Sequence, residues 1–568
     1  MVSKSNINES NNKSEVLTVE KVWWKEAVGY QVYPQSFQDS NGDGIGDIQG
    51  MIQRLDYLKD LGVDFIWICP MYKSPKDDNG YDISDYQDIL EEFGTIEDFD
   101  QLLNEVHKRE MKLIIDLVLN HTSDEHPWFI ESRSSKDNPK RDWYIWRDPK
   151  DGGEPNNWES IFEGSAWEYD KKTGQYYMHI FSRKQPDLNW ENKEVREALY
   201  DTVNWWLEKG IDGFRIDAIS HIKKRENFPD LPNPEGSPFV PSFDMHMNQE
   251  GIHDFLQEFK DHTYSNYNAL TVGEANGVSA EQADQWVGKN GKMDMIFQFE
   301  HLDLWDQEAD QPLDVPALKT TLTRWQKTLE GDGWNALFLE NHDKARIVST
   351  WGDDEEYWYE SATAMAAMYF LMQGTPFIYQ GQEIGMTNIE FTSIEEYDDV
   401  QAKNFYAAKK DAGWSHKEIM NVLGSTSRDH SRTPMQWSDG EQAGFTTGKP
   451  WLKVNPNYQE INVARQLKEE GSILSFYKKL ISLKKKYELF TYGTYELLLP
   501  EDPQIYAYTR TYGEQTALII TNLTSEETEF ESEYTLHTDQ LLLSNGKAPE
   551  KDTEKLQLAP FEARVYLF

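Results

Sequence analysis

The feature of this 568-residue chain that most restricts its fold is an eightfold recurrence of short apolar runs. They occupy residues 27–33, 65–70, 113–119, 213–217, 270–274, 295–299, 336–339 and 376–379. Amphipathic segments such as 48–61, 96–109, 193–209 and 249–261 lie between many of them, with apolar residues at helical spacing. Strands that alternate with helices pair in parallel, and parallel strands covered on both faces read as continuous apolar runs. Eight such units predict a closed (β/α)8 TIM barrel, fold class α/β. A doubly wound open sheet is the alternative. It usually carries a Gly-rich phosphate turn after its first strand, and the sequence shows none there.

The spacing is uneven. Residues 120–192, after the third run, lack a clean helical pattern and are rich in Trp, Gly, Pro and Asp. They read as a small domain inserted in the third strand-to-helix loop. Past residue 490, the stretches 495–499, 505–511, 516–521 and 564–568 are short β-rich runs broken by turns, which predicts a terminal antiparallel β-sandwich. The expected organisation is a disordered lead-in (1–22), a barrel (23–120 and 193–490), an inserted domain (121–192) and a C-terminal β domain (491–568).

In a barrel, chemistry gathers at the C-terminal ends of the strands. The polar residues expected there are Asp78 and Tyr81 after strand two, Asn120 and His121 after strand three, Asp217 on strand four, Glu274 on strand five, and His342 with Asp343 after strand seven. Arg215 precedes Asp217 by two residues and so shares its face of the strand. Its guanidinium would keep Asp217 ionised and aim it, as a covalent nucleophile requires. A structural Arg/Asp pair in a core strand is the other reading of these two residues.

Composition excludes some partners. Asp and Glu number 99 against 56 Lys and Arg, a net charge of −43, so the surface repels phosphate and nucleic acid is not an expected partner. Neutral substrates are indifferent to that field. Cys69 is the only cysteine, so no internal disulfide forms. Residues 1–16 are polar and lack the apolar core of a signal peptide. The longest apolar stretch, 362–372, falls short of the ~20 residues that span a bilayer. A cytoplasmic protein without a membrane partner, monomeric or weakly homo-oligomeric, is expected. In 39–47, oxygen-bearing residues alternate in a Gly-rich loop, as in loops that wrap a hard cation. The segment lacks the Glu that closes an EF-hand loop, and a plain Asp/Gly turn is the alternative.

The segments Asp116-Leu-Val-Leu-Asn-His121, Gly213-Phe-Arg-Ile-Asp217, Val272-Gly-Glu274 and Glu340-Asn-His-Asp343 resemble the four ordered motifs of the α-amylase family, glycoside hydrolase family 13. Gln185-Pro-Asp-Leu-Asn189 resembles its extra motif before the nucleophile strand. Asp78-Asn-Gly-Tyr81 and Arg432-Thr-Pro-Met-Gln-Trp437 are similar to the oligo-1,6-glucosidase and α-glucosidase branch. The resemblance runs from about Trp23 to the C-terminus.

The resemblance implies a retaining glycosidase with Asp217 as nucleophile, Glu274 as general acid and then base, and Asp343 holding the sugar 2- and 3-hydroxyls. Retention needs two carboxyls about 5–5.5 Å apart. It further implies that His121 and His342 bind glucose hydroxyls, that Asp78 pairs with Arg432 to close the pocket on the 4- and 6-hydroxyls, and that Tyr81 is a stacking platform. Phe162, Phe181 and Gln185 would form the walls. One structural calcium is implied, held by Asp39, Asn41, Asp43, the Ile45 carbonyl and Asp47.

Ala218 follows the nucleophile where, in this branch, Val accompanies α-1,6 cleavage and a smaller residue or Thr accompanies α-1,4. This implies an exo-acting α-glucosidase on maltose and short malto-oligosaccharides, able to transglycosylate, with an oligo-1,6-glucosidase as the alternative. A sucrose isomerase or glucosyltransferase is disfavoured, because 299–305 lacks the Arg-rich cluster such enzymes carry after strand six. A non-enzymatic transporter subunit is disfavoured, because the acids are present and no membrane helix is seen. Lys344, Ala345 and Glu340 depart from the usual residues around Asp343 and bear on linkage preference.

Overall fold

The computed structural model describes residues 21–305, 313–548 and 550–568. The expected lead-in, 1–22, falls outside these residues except for Lys21 and Val22. Eight parallel strands form the central sheet: β1 (Gly29–Val32), β2 (Phe65–Ile68), β3 (Lys112–Val118), β4 (Gly213–Asp217), β5 (Leu270–Glu274), β6 (Met295–Phe297), β7 (Ala336–Leu337) and β8 (Thr375–Tyr379). Hydrogen-bonded neighbours run β6-β5-β4-β3-β2-β1-β8-β7. A parallel bridge between Ile296 and Asn335 joins the two ends and closes the barrel. Each strand overlaps one of the eight apolar runs.

Inside the barrel, Trp67, Phe297 and Phe377 pack ring against ring, with centroids 4.8 to 6.3 Å apart. Gly213 opens β4 at φ 147°, where a Cβ would lie 2.0 Å from the Leu270 carbonyl oxygen. Only glycine lets β4 lie this close to β5.

The outer helices follow local signals. α1 (Ile48–Leu61) starts where Asp47 accepts the Gly50 N–H and stops at left-handed Gly62. α2 (Ile96–Lys108) starts at a Thr95/Asp98 capping box. α3 (Lys193–Lys209) runs from an Asn192 cap to Gly210. Beyond it come α4 (Val315–Leu329) and α5 (Trp358–Phe370). The apolar stretch 362–372 belongs to the buried α5 and the turn after it. No described helix is long and apolar enough to cross a membrane.

Two insertions rise over the C-terminal end of the barrel. The first, between β3 and α3, holds a three-stranded antiparallel sheet (Trp146–Arg147, Gln175–Met178, Trp167–Asp170), a six-residue helix, Pro127–Ser132, and its own core around Trp158, Trp167 and Met178. The second was not read from the spacing. After β8 the chain leaves the barrel to form α6 (Val400–Asp411) and α7 (His416–Thr426), packed on a separate core that includes Ile389, Phe391, Tyr397 and Leu423.

The C-terminal domain has a five-stranded and a two-stranded antiparallel sheet. Its strands Thr528–Leu536, Leu541–Ser544 and Thr553–Leu558 add to those read from the sequence. Lys319, fully buried on α4, ties the domain down by donating to the carbonyls of Leu499, Asp502 and Ile505 at 2.6, 2.7 and 3.1 Å.

Candidate active site

Register brings the charges together. Arg215 on β4 pairs beside Asp116 on β3, and Ile216 pairs beside Gly273 on β5, so Glu274 follows next to Asp217. Side chains two apart share a face, and Arg215 therefore reaches all three acids. Its Nη1 donates to Asp116 Oδ1 at 2.9 Å and to Asp217 Oδ1 at 2.7 Å, while Nη2 donates to Glu274 Oε2 at 2.6 Å. Asp116 lies beneath, fully buried, and also accepts from the Tyr81 hydroxyl (2.9 Å) and Trp67 Nε1 (3.1 Å). Burial pushes Asp116 up to about 6 against the pull of Arg215, Tyr81 and Trp67.

Asp217 and Glu274 face one cleft of about 720 Å³. Burial raises Asp217 well above the usual carboxylate range, the adjacent Glu274 adds to this, and Arg215 opposes it. The expectation that Arg215 alone would keep Asp217 ionised is therefore not met: its guanidinium is shared with Asp116 and Glu274, and burial outweighs it at Asp217. The residue after Asp217 turns sharply. Ala218 sits in the left-handed region (φ 43°, ψ 31°) and donates its N–H to Glu274 Oε2 at 3.1 Å. That backbone bond anchors Glu274 from the other strand.

Asp343 lies across the cleft with its side chain one-third exposed. It accepts from Arg432 Nη2 (3.0 Å), Arg428 Nη1 (3.2 Å) and His342 Nε2 (3.2 Å). Gln31 Nε2 donates to His342 Nδ1 at 2.8 Å, which assigns the remaining ring proton to Nε2, facing Asp343. Burial works against the Asp343 carboxylate, but His342 and the guanidiniums of Arg428, Arg432 and Arg215 outweigh it and hold the group well below its usual range. Burial likewise keeps His342 neutral, pushed down to about 3, and His121 at about 4.

The floor differs from the expectation. Asp78 pairs with Arg428, whose Nη2 lies 3.1 Å from Asp78 Oδ1, and not with Arg432. Arg428 also grips Asp399 and lines the cleft, whereas Arg432 is buried behind Asp343 with Nη1 3.8 Å from Asp399. The reason is reach. The short helix Asp429–Arg432 begins just after Arg428, and a helix places residues four apart on one side at different depths. Asp78 is steadied further by Gln185 Nε2 at 3.1 Å, and its loop by Asp82, which accepts the Asp77 and Asp78 N–H groups. Burial pushes Asp82 up to about 7.

Of the remaining expected residues, Tyr81, His121, Phe162, Phe181, Ala218 and His342 line the cleft. Tyr81 stacks on His342, with centroids 5.1 Å apart and 12° between planes. Gln185 is fully buried and touches His121 Nε2 as well as Asp78. Arg428 and Asp399 were missed in the sequence. The signal for Arg428 was its place four residues before Arg432. Asp399, in the second insertion, offered none.

The 39–47 loop lies away from the acids. Asp39 Oδ1 accepts the Asn41 and Gly42 N–H groups, Asn41 Oδ1 that of Asp43, and Asp43 Oδ1 that of Ile45. Three successive side chains thus curl the loop around their own oxygens, a donor set of the hard type that calcium takes. Asp47 is otherwise engaged, accepting from Ser40 and capping α1. Among the described residues no group of three or more His, Cys, Asp or Glu side chains converges to hold a metal.

A closed parallel barrel with three acids at the ends of β4, β5 and the β7 loop, and a family model for the α-amylase catalytic domain matching residues 31–493, define the class: the chain belongs to the α-amylase family of glycoside hydrolases. Residues 495–565 match the maltogenic amylase C-terminal domain. Among similar proteins, a probable oligo-1,6-glucosidase 3 of Bacillus subtilis (strain 168) is 60% identical, covering 97% of this chain and 100% of its own. The oligo-1,6-glucosidase of Parageobacillus thermoglucosidasius is 52% identical, covering 96% and 99%. A crystal structure of a trehalulose synthase superposes with a TM-score of 0.92 at 44% identity, covering 96% of this chain and 100% of that one.

Proposed function

We propose that the protein is a retaining, exo-acting α-glucosidase that removes glucose from the non-reducing end of maltose and short malto-oligosaccharides. The observation that carries this reading is the Arg215 fork. One guanidinium donates to both Asp217 and Glu274, and the two carboxyls interact with each other, which favours the short separation of a retaining enzyme over the wider one that an inverting enzyme keeps for its water. In the first step, the Asp217 carboxylate attacks the anomeric carbon while Glu274 gives its proton to the glycosidic oxygen, and the bond to the leaving sugar breaks. In the second, Glu274 takes a proton from water, the water oxygen attacks the same carbon, and Asp217 leaves. A sugar hydroxyl in place of water gives transglycosylation. Asp343, kept ionised by the two arginines, holds the 2- and 3-hydroxyls. Asp78 and Arg428 close the floor on the 4- and 6-hydroxyls, so only a terminal glucose fits.

Ala218 supports the α-1,4 linkage by leaving space beside the scissile bond. The second reading, preference for α-1,6 bonds, is supported by the names of the two relatives above. Initial rates on equal maltose and isomaltose decide between them, with Asp217→Asn as control. Maltose ahead supports α-1,4, and isomaltose ahead replaces it with α-1,6. The control should lose roughly 10⁴-fold or more in kcat, and a surviving activity would remove Asp217 from the nucleophile role.

We further propose that Asp39, Asn41, Asp43 and the Ile45 carbonyl hold one stabilising calcium. Calcium should raise the melting temperature of chelator-treated protein, and replacing Asp39 by Ala should abolish that rise. No rise in the parent protein would remove the proposal.

A further inference from the structure

Behind the cleft wall lies a pair of imidazoles that the chemistry above does not use. His221, four residues after Asp217, lines the cleft. Its Nδ1 lies 2.9 Å from Nδ1 of His246, and both residues are buried. His246 Nε2 lies 3.2 Å from Ser242 Oγ, and Ser242 Oγ lies 3.0 Å from the Glu159 carbonyl oxygen in the first insertion.

The donors along this chain are ordered from its far end. The Glu159 carbonyl only accepts, so the Ser242 hydroxyl gives its proton there and accepts from His246 Nε2–H. A neutral imidazole with its proton on Nε2 has a bare Nδ1, so His221 Nδ1–H donates to His246. The other nitrogen of His221, Nε2, is left with a lone pair and no proton. Burial keeps both rings neutral, with His221 pushed down to about 3 and His246 well below its usual value. The same segment carries Phe243 and Met247 on the cleft wall. It is stitched to the loop after Asp217 by Arg225 N–H to the Met245 carbonyl and Asn248 N–H to the Ser220 carbonyl, both 2.8 Å.

We propose that His246 is a positioning residue for the leaving-group side of the cleft: it fixes His221 in the tautomer that offers an acceptor to a hydroxyl of the sugar beyond the scissile bond. This rests on the exo-glucosidase reading above. The contribution is made only to substrates whose leaving group carries hydroxyls, which separates it from a general structural role.

The test compares His246→Leu and His246→Asn with the parent on maltose, isomaltose and p-nitrophenyl α-glucoside. Leu removes the acceptor for His221, whereas the Asn Oδ1 falls near the place of Nδ1. In the Leu variant, kcat/KM on the better disaccharide should fall about fivefold through KM, the aryl glucoside should be unaffected, and the share of transfer products should drop. The Asn variant should recover most of the loss. An equal loss on aryl glucoside and disaccharide, no loss on either, or failure of Asn to recover would overturn the proposal. Either disaccharide serves, so a wrong linkage leaves this test intact, and activity surviving in Asp217→Asn would strike the catalytic reading instead.

Discussion

Replacing Arg428 by Met tests the corrected pocket floor. In the parent protein its guanidinium donates to Asp78 at 3.1 Å and to Asp343 at 3.2 Å, and it also grips Asp399. Two of these acids are assigned to glucose hydroxyls, and a charge-assisted hydrogen bond is worth about 1.5–3 kcal/mol. Misaligning both removes about 3–6 kcal/mol of transition-state binding, or roughly two to four powers of ten in kcat/KM. The pH profile should keep its acid limb. Asp343 works ionised, and Arg428 is one of the charges that hold its proton affinity down against burial. Removing that charge raises the pKa of Asp343, but His342, Arg432 and Arg215 still hold it down. Asp217, which lies well above the usual range, sets the acid limb of kcat/KM, so the limb should stay in place while the rate falls. Arg428→Lys, which keeps the charge but not the fork, should also lose activity. The assay is kcat/KM for an aryl α-glucoside against pH, with circular dichroism to show that each variant is folded. A folded Met variant with less than about a threefold loss would refute the reasoning and return the role to Arg432.

Ala218→Val should raise the isomaltose-to-maltose rate ratio about tenfold, the scale of a methyl-sized change in a pocket. It should also lower the melting temperature, since a β-branched residue is a poor occupant of the left-handed region. Lys319→Met leaves three carbonyls at the junction with the C-terminal domain without their donor, at about 2–4 kcal/mol in all. Its melting temperature should fall while kcat/KM at room temperature stays. An unchanged melting temperature would mean that the junction does not rely on it.

The barrel strands were legible because each is buried on both faces and so must be written in apolar letters, as in 65–68 and 113–118. The acids were legible because they stand where such runs stop. The second insertion was not. α6 buries only Ala402 and α7 only Ile419 and Leu423, so neither shows a broad apolar stripe, yet their loops deliver Arg428 to the cleft and Asp399 behind it. Thr528–Leu536 escaped notice for a related reason: it buries three of nine residues and carries Glu529, Glu531 and Glu533 on a strand with one wet face. The Asp78 partner was misread because sequence order cannot say which of two arginines four apart reaches a given acid. His246 stands between Met245 and Met247 in an irregular segment, and nothing in the sequence pairs it with His221 or links it through Ser242 to the Glu159 carbonyl.

The left-handed backbone at Ala218 has a consequence for how such an enzyme can diversify. The residue proposed here to crowd or free the sugar beside the scissile bond is also one whose backbone resists larger L side chains, particularly branched ones. Selection for a different linkage therefore meets a cost in foldedness at the same codon. Variants that change regioselectivity through this position are expected to begin with glycine or asparagine, which tolerate the conformation, or to arrive with compensating changes in residues 219–222 that reshape the turn. A library randomised at 218 alone should then be poorer in active β-branched variants than one in which those neighbours vary with it.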